Sequence, residues 1–176
     1  MSTMSRQLLF KVIIVGDGGV GKSTMIKRLT TGLFIPQKIT IGTDLASIKI
    51  DMGEKGSAKL QIWDFAGEKR FRFFLPNYAR GALGCILCYD ITRYQSIERL
   101  IEWYNIVKDN AANPVFVLVG GKLDLAEKRV IDFNNGKEFQ EKYKIDYFFE
   151  SSSKSGENNQ LIFQTLTEGI LEKKIT

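Results

Sequence analysis

The sequence predicts an α/β fold with a six-stranded, mostly parallel sheet, one antiparallel strand and helices on both faces. Short apolar runs such as Leu8–Val15 alternate along the chain with segments of helical periodicity, which is typical of parallel sheets covered on both sides. A glycine-rich turn follows the first run directly and opens a helical segment. Two strand-like runs, Leu45–Asp51 and Ala58–Trp63, are separated only by Met52–Ser57, whose glycines predict a hairpin.

The remaining elements follow from the same periodicities. The predicted helices lie near Lys22–Thr31, around Ser96–Asn110, near Asp132–Tyr143 and near Glu157–Lys173, and a loop with a short helix runs to about Ala79. The remaining predicted strands are Leu83–Tyr89, Val115–Val119 and Tyr147–Glu150. Because no repeat, low-complexity tract or linker interrupts this order, we expect residues 1–176 to form one domain with a core at about residues 8–172.

The composition is that of a soluble globular protein. Of the 176 residues, 44% are apolar and 26% are charged, which is the usual balance for a folded domain. The longest apolar runs are far too short to span a bilayer, and Met1–Gln7 lacks the apolar region of a secretory signal. We therefore expect a cytoplasmic protein. The net charge of +5 is spread along the chain without dense basic runs, so no nucleic-acid partner is expected.

The two cysteines, Cys85 and Cys88, have the spacing of a redox or zinc half-site. They lie within a predicted buried strand, however, where residues three apart point to opposite faces. The chain has no second cysteine pair and no histidine. We therefore interpret both cysteines as reduced core thiols, and the lack of histidine excludes histidine-based triads and most zinc sites.

The turn after the first strand carries a phosphate-binding pattern. Gly16 is followed after four residues by Gly21-Lys22-Ser23, which is the P-loop spacing in the strand–loop–helix context that the motif requires. Glycines let backbone N–H groups converge on phosphate oxygens, and the helix N-terminus favours negative charge. Lys22 is expected to reach the β- and γ-phosphates, and the Ser23 hydroxyl to bind Mg²⁺. The predicted nucleotide-binding residues here are Gly18, Gly19, Val20, Gly21, Lys22, Ser23 and Thr24. A chance match in a glycine-rich turn is the alternative.

A second pattern follows the third predicted strand, where the chain reads Asp64-Phe65-Ala66-Gly67-Glu68. An aspartate at the tip of a strand can hold a magnesium-bound water, and the Gly67 N–H can meet the γ-phosphate. One strand after a P-loop, this D-x-x-G pattern indicates a nucleotide-sensing switch. The P-loop alone also occurs in ATPases and small-molecule kinases, so these stay open at this point.

Two later loops favour guanine over adenine. The first, Gly120-Gly121-Lys122-Leu123-Asp124, carries a carboxylate that can accept from the N1–H and amino group of guanine. The stem of Lys122 can cover the base. The second loop offers the backbone amides of Ser152, Ser153 and Lys154 to the guanine O6. Each loop alone could be an ordinary polar loop, but together and in this order they predict bound GTP or GDP.

These motifs make the chain resemble the Ras superfamily of small GTPases, and within it the Rab branch. The resemblance covers about residues 8–172, and its Rab-like stretches are TIGTD (Thr40–Asp44), KLQIWDFAG (Lys59–Gly67), EKRFR (Glu68–Arg72), YARGA (Tyr78–Ala82) and CYDIT (Cys88–Thr92). It implies the P-loop fold of a small G protein and a monomer that hydrolyses GTP with Mg²⁺ and recruits effectors. It also implies a setting in membrane trafficking, peripheral on the cytosolic face of membranes.

The resemblance implies roles residue by residue. Thr40 is similar to the switch threonine whose hydroxyl binds Mg²⁺ and whose amide senses the γ-phosphate, and Phe34 to the aromatic that packs against guanine. Two switch segments, Phe34–Asp44 and Phe65–Leu75, are expected to be ordered by the γ-phosphate. The implied metal ligands are Ser23, Thr40 and Asp64, and the implied catalytic residues are Lys22, Thr40, Gly67 and Glu68.

The resemblance further implies a partner surface at the switches. Effectors, exchange factors and GTPase-activating proteins are expected at Phe34–Asp44, Leu45, Trp63 and Phe65–Tyr78. Ordinary packing on a strand face is the alternative for Leu45, Trp63 and Tyr78.

Three departures from the family pattern qualify this picture. Glu68 stands in place of a water-orienting glutamine, and an ionised carboxylate only accepts hydrogen bonds. Gly121 replaces the asparagine of the N-K-x-D loop, so we expect selectivity through Asp124 but weaker affinity and faster exchange. The ending Lys173-Lys174-Ile175-Thr176 has no cysteine for prenylation, so membrane binding would require a lipidated tail missing from this sequence or a partner.

Two functional alternatives therefore remain. The intact set of Lys22, Ser23, Thr40 and Gly67 favours slow but real hydrolysis, and Gly18 leaves space beside the γ-phosphate. Glu68 keeps open a nucleotide-binding scaffold with negligible hydrolysis.

Overall fold

A computed structural model describes residues 7–38 and 40–175. Residues 1–6, Ile39 and Thr176, which belong to the predicted N-terminal segment, first switch segment and C-terminus, lie outside the described residues. The strands are β1 (Leu8–Val15), β2 (Thr43–Asp51), β3 (Ser57–Phe65), β4 (Gly84–Asp90), β5 (Val115–Gly121) and β6 (Tyr147–Glu150). They form one sheet in the order β2-β3-β1-β4-β5-β6, in which β2 pairs antiparallel with β3 and the other described pairs are parallel. The predicted α/β fold with one antiparallel strand is confirmed.

The helices lie between the strands as the periodicity predicts. They are α1 (Lys22–Thr31), α2 (Leu75–Ala79), α3 (Tyr94–Glu98), α4 (Leu100–Asn110), α5 (Phe133–Tyr143) and α6 (Asn159–Ile175), with short 3₁₀ turns at Gly53–Lys55, Lys69–Phe74 and Leu123–Lys128. The helix predicted around 96–110 is two adjoining helices that meet at Arg99. The strand predicted to end at Val119 continues through Gly121, because Gly121 still pairs with Asp90 of β4.

The sheet buries a hydrophobic core on each face. Along β1, Val12 and Ile14 face the side covered by α1 and α6, whereas Ile13 and Val15 face the side covered by α2, α3, α4 and α5. This alternation is the period-2 pattern of a strand that is buried on both sides. The helices therefore lie on both faces, as predicted.

The two cysteines follow the same alternation. Cys88 belongs to the core on the α1 side and Cys85 to the core on the opposite side. Both are buried and free, and burial raises the pKa of the Cys88 thiol to about 12. The interpretation as reduced core thiols is confirmed.

The topology places the loops of interest at one edge. Since β1 lies between β3 and β4, the carboxyl ends of the parallel strands bring the loops after β1, β3, β4, β5 and β6 together, and ligands of such sheets bind there. Within the described residues, no helix combines the length and the apolar composition that crossing a membrane requires.

Candidate nucleotide-binding site

A cleft of about 370 Å³ opens at the carboxyl edge of the sheet, which is within the usual size of a ligand site. Most of the predicted nucleotide-binding residues line it, namely Gly18, Gly19, Val20, Gly21, Lys22, Ser23, Thr24, Phe34, Thr40, Gly67, Lys122, Asp124, Ser153 and Lys154. The sequence prediction did not include Met25, Pro36, Gln37, Lys38, Cys88, Tyr89, Val119, Leu125 and Ser151, which also line it. Pro36, Gln37 and Lys38 belong to the predicted first switch segment, and Cys88 to the C-x-x-C pair. The others become neighbours of the cleft through the fold.

The loop between β1 and α1 presents an anion site. Helix α1 begins at Lys22 after Gly21, which has a left-handed backbone (φ 102°), and no side chain caps the helix or places an acid in its first turn. The first N–H groups of a helix lack partners within the helix and carry positive partial charge. The N-terminus of α1 is therefore open to a phosphate from the cleft.

Lys22 is a buried cation held by this loop. Its Nζ donates to the backbone oxygens of Gly16 (2.8 Å) and Asp17 (3.0 Å). Burial lowers the pKa of Lys22, and the nearby Asp64 opposes that shift. Because an ammonium group in an apolar setting needs several acceptors, this side chain fixes the two carbonyls that it contacts.

Two further cations hold the next two carbonyls of the loop. Arg93, in the loop between β4 and α3, donates from Nη1 to the Gly18 oxygen at 2.8 Å, and Lys122, directly after β5, donates from Nζ to the Gly19 oxygen at 2.8 Å. Four consecutive carbonyls, from residues 16 to 19, thus accept from positively charged side chains. Arg93 was not predicted, although its position after a strand at the same sheet edge is the signal that could have found it.

The three predicted metal ligands converge beside this loop. The hydroxyls of Ser23 and Thr40 lie 2.7 Å apart, Ser23 Oγ donates to Asp64 Oδ2, and Thr40 Oγ1 lies 3.4 Å from the same oxygen. Asp64 lies within β3, not beyond its end. Within the described residues, no cluster of three or more histidine, cysteine or acidic side chains offers an alternative metal site.

The chemistry of these three side chains fits Mg²⁺. Hydroxyl and carboxylate oxygens are the hard donors that this ion takes, together with several waters and phosphate oxygens. Asp64 is buried and its Oδ1 has no hydrogen-bond partner, which leaves an acceptor for a cation or for a water bound to it. Burial raises the pKa of Asp64, while hydrogen bonding from Ser23 and the charge of Lys22 lower it.

The base end of the cleft is formed by the loops after β5 and β6. Asp124 Oδ1 accepts from the Ser152 hydroxyl at 2.8 Å, and the Leu123 N–H donates to the Ser151 oxygen at 2.9 Å. Ser152 is buried and does not line the cleft, since its own N–H donates to Glu157. The structure therefore gives Ser152 a role in orienting Asp124, while Ser153 and Lys154 face the cleft.

Gly121 leaves this wall without a side chain at a closely packed point. A Cβ at this position would lie 3.3 Å from the Val20 oxygen and 3.5 Å from the Tyr89 oxygen, so the backbone around it would have to shift slightly to admit a side chain. Lys122 joins this loop to the phosphate-binding loop through the Gly19 oxygen, and it also pairs with the buried Asp90 at 2.9 Å.

Glu68 lies next to the cleft and not in its wall. Its Oε2 accepts from Arg70 Nε at 2.7 Å, and the Arg70 guanidinium lies 4.7 Å from the centre of the Phe71 ring. The carboxylate at the position of the missing glutamine is thus paired with a cation.

The predicted partner surface is contiguous. Leu45 of β2 is paired in register with Trp63 of β3, and the Trp63 and Tyr78 rings lie 5.5 Å apart. Around them, large apolar side chains of the switch segments are exposed, among them Ile41 and Phe73. The first segment is tied to the second by the Ala66 N–H, which donates to the Gly42 oxygen at 2.8 Å.

Alanine variants of Gly67 and Gly18 test the phosphate-binding part of the cleft, one as the change and the other as its control. A Cβ on Gly67 would overlap the backbone of Asp17 and Gly18, with the Gly18 Cα at 2.6 Å, whereas a Cβ on Gly18 would meet nothing within 4 Å. We expect Gly67→Ala to weaken the affinity for a non-hydrolysable GTP analogue by roughly tenfold, since backbone displacement of this size costs about 1–3 kcal/mol. Gly18→Ala should retain both stability and GDP affinity. Titration of labelled nucleotide with a thermal melt measures both, and equal effects of the two variants would contradict the close approach of Gly67.

Comparisons with known proteins identify the family of this chain. The model of the Ras family matches residues 11–172. The chain is 42% identical to the Ras-related protein Rab-30 of Homo sapiens over 94% of this chain and 82% of that protein. It is 38% identical to the Ras-related protein Rab-10 of Diplobatis ommata (98% and 86%) and 37% identical to the GTP-binding protein ypt2 of Schizosaccharomyces pombe (99% and 88%). The chain therefore belongs to the Ras family of small GTPases and is Rab-like within it.

Proposed function

We propose that this chain is a molecular switch that binds GTP and GDP with Mg²⁺, hydrolyses GTP slowly and recruits effectors through its switch segments. The observation that carries the proposal is the convergence of Ser23, Thr40 and Asp64 beside the uncapped N-terminus of α1. This arrangement joins an anion site to a hard-cation site, which is the combination that a nucleotide–magnesium complex requires.

At the phosphate end of the cleft, the chain positions the nucleotide phosphates and provides positive charge to them. Lys22 and the N–H groups of the loop bind phosphate oxygens, and the hydroxyls of Ser23 and Thr40 with Asp64 would hold the metal. When bound, Mg²⁺ supplies positive charge against the phosphate oxygens. The loop needs little reorganisation to bind, because its carbonyls already accept from Lys22, Arg93 and Lys122, so its N–H groups stay available.

At the base end, Asp124 recognises guanine. Its Oδ1 is oriented by the Ser152 hydroxyl, and a carboxylate can accept from the donor pair of guanine that adenine does not have. This favours a guanine nucleotide over the adenine nucleotide of an ATPase or kinase. The relative from Schizosaccharomyces pombe is named a GTP-binding protein, which also supports this choice.

The partners and the setting follow from the family. We assign the exposed apolar surface around Leu45, Trp63 and Tyr78 to effectors, exchange factors and activating proteins. By resemblance to the Rab branch, we place the switch in membrane trafficking at the cytosolic face of membranes, where it acts as a monomer through a lipidated tail or a partner.

The scaffold alternative has one observation in its favour. Glu68 accepts from Arg70, and a carboxylate engaged in an ion pair is less available to orient water. Multiple-turnover release of phosphate from GTP decides between the two functions: release above the buffer rate supports the switch, and none supports the scaffold.

Asp124 is the residue to change for base selectivity. We expect the unchanged protein to bind labelled GDP, and a large excess of GTP but not ATP to displace it. Asp124→Ala should reduce the preference for GTP over ATP by roughly 10–100-fold, since a hydrogen bond to a charged group contributes about 1.5–3 kcal/mol. Glu127→Ala, an exposed change in the same 3₁₀ turn, is the control. Retained selectivity in Asp124→Ala would place base recognition elsewhere.

Gly121→Asn tests the altered base loop. The new Cβ would lie 3.3 Å from the Val20 oxygen, a tight contact that a small backbone shift relieves. The amide beyond it restores the hydrogen-bonding group of the family pattern, so we expect tighter GDP binding and a longer residence time. One additional hydrogen bond is worth about 1 kcal/mol, or roughly fivefold. Stopped-flow release of labelled GDP measures the residence time. If Gly121→Asn gains neither affinity nor residence time, the missing side chain at Gly121 does not weaken nucleotide binding.

Glu68 is tested by single-turnover hydrolysis. If the carboxylate accepts from the attacking water, Glu68→Ala should lower the hydrolysis rate by at least roughly tenfold, as loss of a positioned acceptor does. Glu68→Gln restores a donor and an acceptor and should be at least as fast as the unchanged protein. Lys69→Ala, an exposed change at the adjoining residue, is the control. Equal rates in all these proteins would remove Glu68 from the mechanism.

A further inference from the structure

The side chain of Asp17 is buried away from the nucleotide site, so nucleotide binding does not explain its position. Asp17 is the second residue of the phosphate-binding loop, yet its carboxylate does not line the cleft. Its side chain is only 7% exposed. A buried carboxylate needs hydrogen-bond donors or opposite charges around it. The side chains that provide them to Asp17 come from outside the loop.

Three side chains surround this carboxylate. Trp103 of α4, which is fully buried, donates from Nε1 to Oδ1 at 3.3 Å. Arg99, just before α4, donates from Nη1 to Oδ2 at 3.4 Å. The third is Arg72, whose Nη2 lies 3.8 Å from Oδ1. Arg72 belongs to the Lys69–Phe74 turn of the second switch segment, so the pair joins two functional segments.

Arg72 is the anchor of its turn. No residue of Lys69–Phe74 is fully buried and Phe73 is 84% exposed, so the apolar contact of the turn with the core comes from the partly buried Phe71. The Arg72 side chain, in contrast, is 13% exposed, and its guanidinium lies 4.5 Å from the centre of the Trp103 ring. It also pairs with Glu102, which is about half exposed.

Asp17 also contacts the phosphate site through its backbone. Its carbonyl oxygen accepts from Lys22 Nζ at 3.0 Å, and its carbonyl carbon lies against Gly67, whose Cβ would overlap it. One residue therefore holds the phosphate-binding lysine with its backbone and the second switch segment with its side chain.

We propose that Asp17 is a positioning residue that couples the Lys69–Phe74 turn to the phosphate-binding loop through Arg72. When Arg72 is displaced, the buried Asp17 carboxylate loses one cationic partner. The phosphate-binding loop, whose Asp17 carbonyl accepts from Lys22, then becomes less rigid. Such coupling is reciprocal. A partner that displaces the turn weakens nucleotide binding, and a bound nucleotide stabilises the turn. The nucleotide part of this inference rests on the proposed function, whereas the Asp17–Arg72 link does not.

Hydrogen exchange in the nucleotide-free protein tests the link itself. We expect Arg72→Met and Asp17→Asn each to speed amide exchange in residues 69–75 by about tenfold, the effect of removing one partner from a mostly buried ion pair. The double variant should exceed Arg72→Met by less than about twofold, because the ion pair that Asp17→Asn removes is already absent there. Glu102→Gln removes the exposed partner of Arg72 and should change exchange by less than about twofold.

Release of labelled GDP tests the coupling. Arg72→Met should speed release several-fold although Arg72 does not line the cleft, and Arg72→Lys, which keeps the charge, should restore part of the difference. Thermal melts identify global destabilisation. If Asp17→Asn does not fold, the comparison of Arg72→Met, Arg72→Lys and Glu102→Gln still decides.

Three outcomes would overturn the inference. Unchanged exchange in Asp17→Asn would mean that Trp103 and Glu102 hold Arg72 without Asp17. Additive effects in the double variant would mean that the two residues act separately. If Arg72→Met speeds amide exchange in residues 69–75 but does not change the GDP release rate, the Asp17–Arg72 pair stabilises the turn without coupling it to nucleotide binding. If no variant and not even the unchanged protein binds GDP, the proposed function fails, and the exchange experiment still reports on the link.

Discussion

The structure of the site depends on the burial of Lys22. An ammonium group removed from water must be surrounded by acceptors, and the chain provides the carbonyls of Gly16 and Asp17 for it. Once these two carbonyls are turned toward Lys22, the direction of the loop is set, and Arg93 and Lys122 hold the next two. With four consecutive carbonyls turned toward these cations, the N–H groups of the loop are left for a ligand. The preference for an anion thus arises from backbone direction as much as from net charge.

Asp64 balances this cation from the third strand. It is buried, one of its oxygens has no partner, and the Lys22 and Asp64 charges influence each other. Two opposite charges in one buried region that do not pair directly are poorly compensated without a ligand. A ligand that brings both phosphate and a divalent cation supplies a partner to each charge. For this reason, the weaker binding of the base that we predict from Gly121 need not abolish nucleotide binding.

The sequence predicted the fold and most of the site because those features are local. The strand–loop–helix at 8–31 and the D-x-x-G turn are continuous patterns, and the parallel topology brings their ends to one edge. Most of the parts that were missed depend on long-range packing. Arg93 contacts a loop 75 positions earlier, and the partners of Asp17 come from two distant parts of the chain, Arg72 on one side and Arg99 with Trp103 on the other. Ser152 was predicted to meet the base, but the last loop folds back so that its amide donates to Glu157. This miss is local, and it arises because the serine pattern does not specify how the loop closes.

The placement of the two cysteines also has a practical consequence. Cys85 and Cys88 are the only thiols of the chain, and each is sealed in the core on a different face of the sheet. A thiol-specific reagent therefore has no access to Cys85 and little access to Cys88, which is 4% exposed where it lines the cleft. Separated by peptide mapping, the two labelling rates report the opening of each face independently, and Cys88, at the floor of the cleft, reports on the face where a ligand would bind.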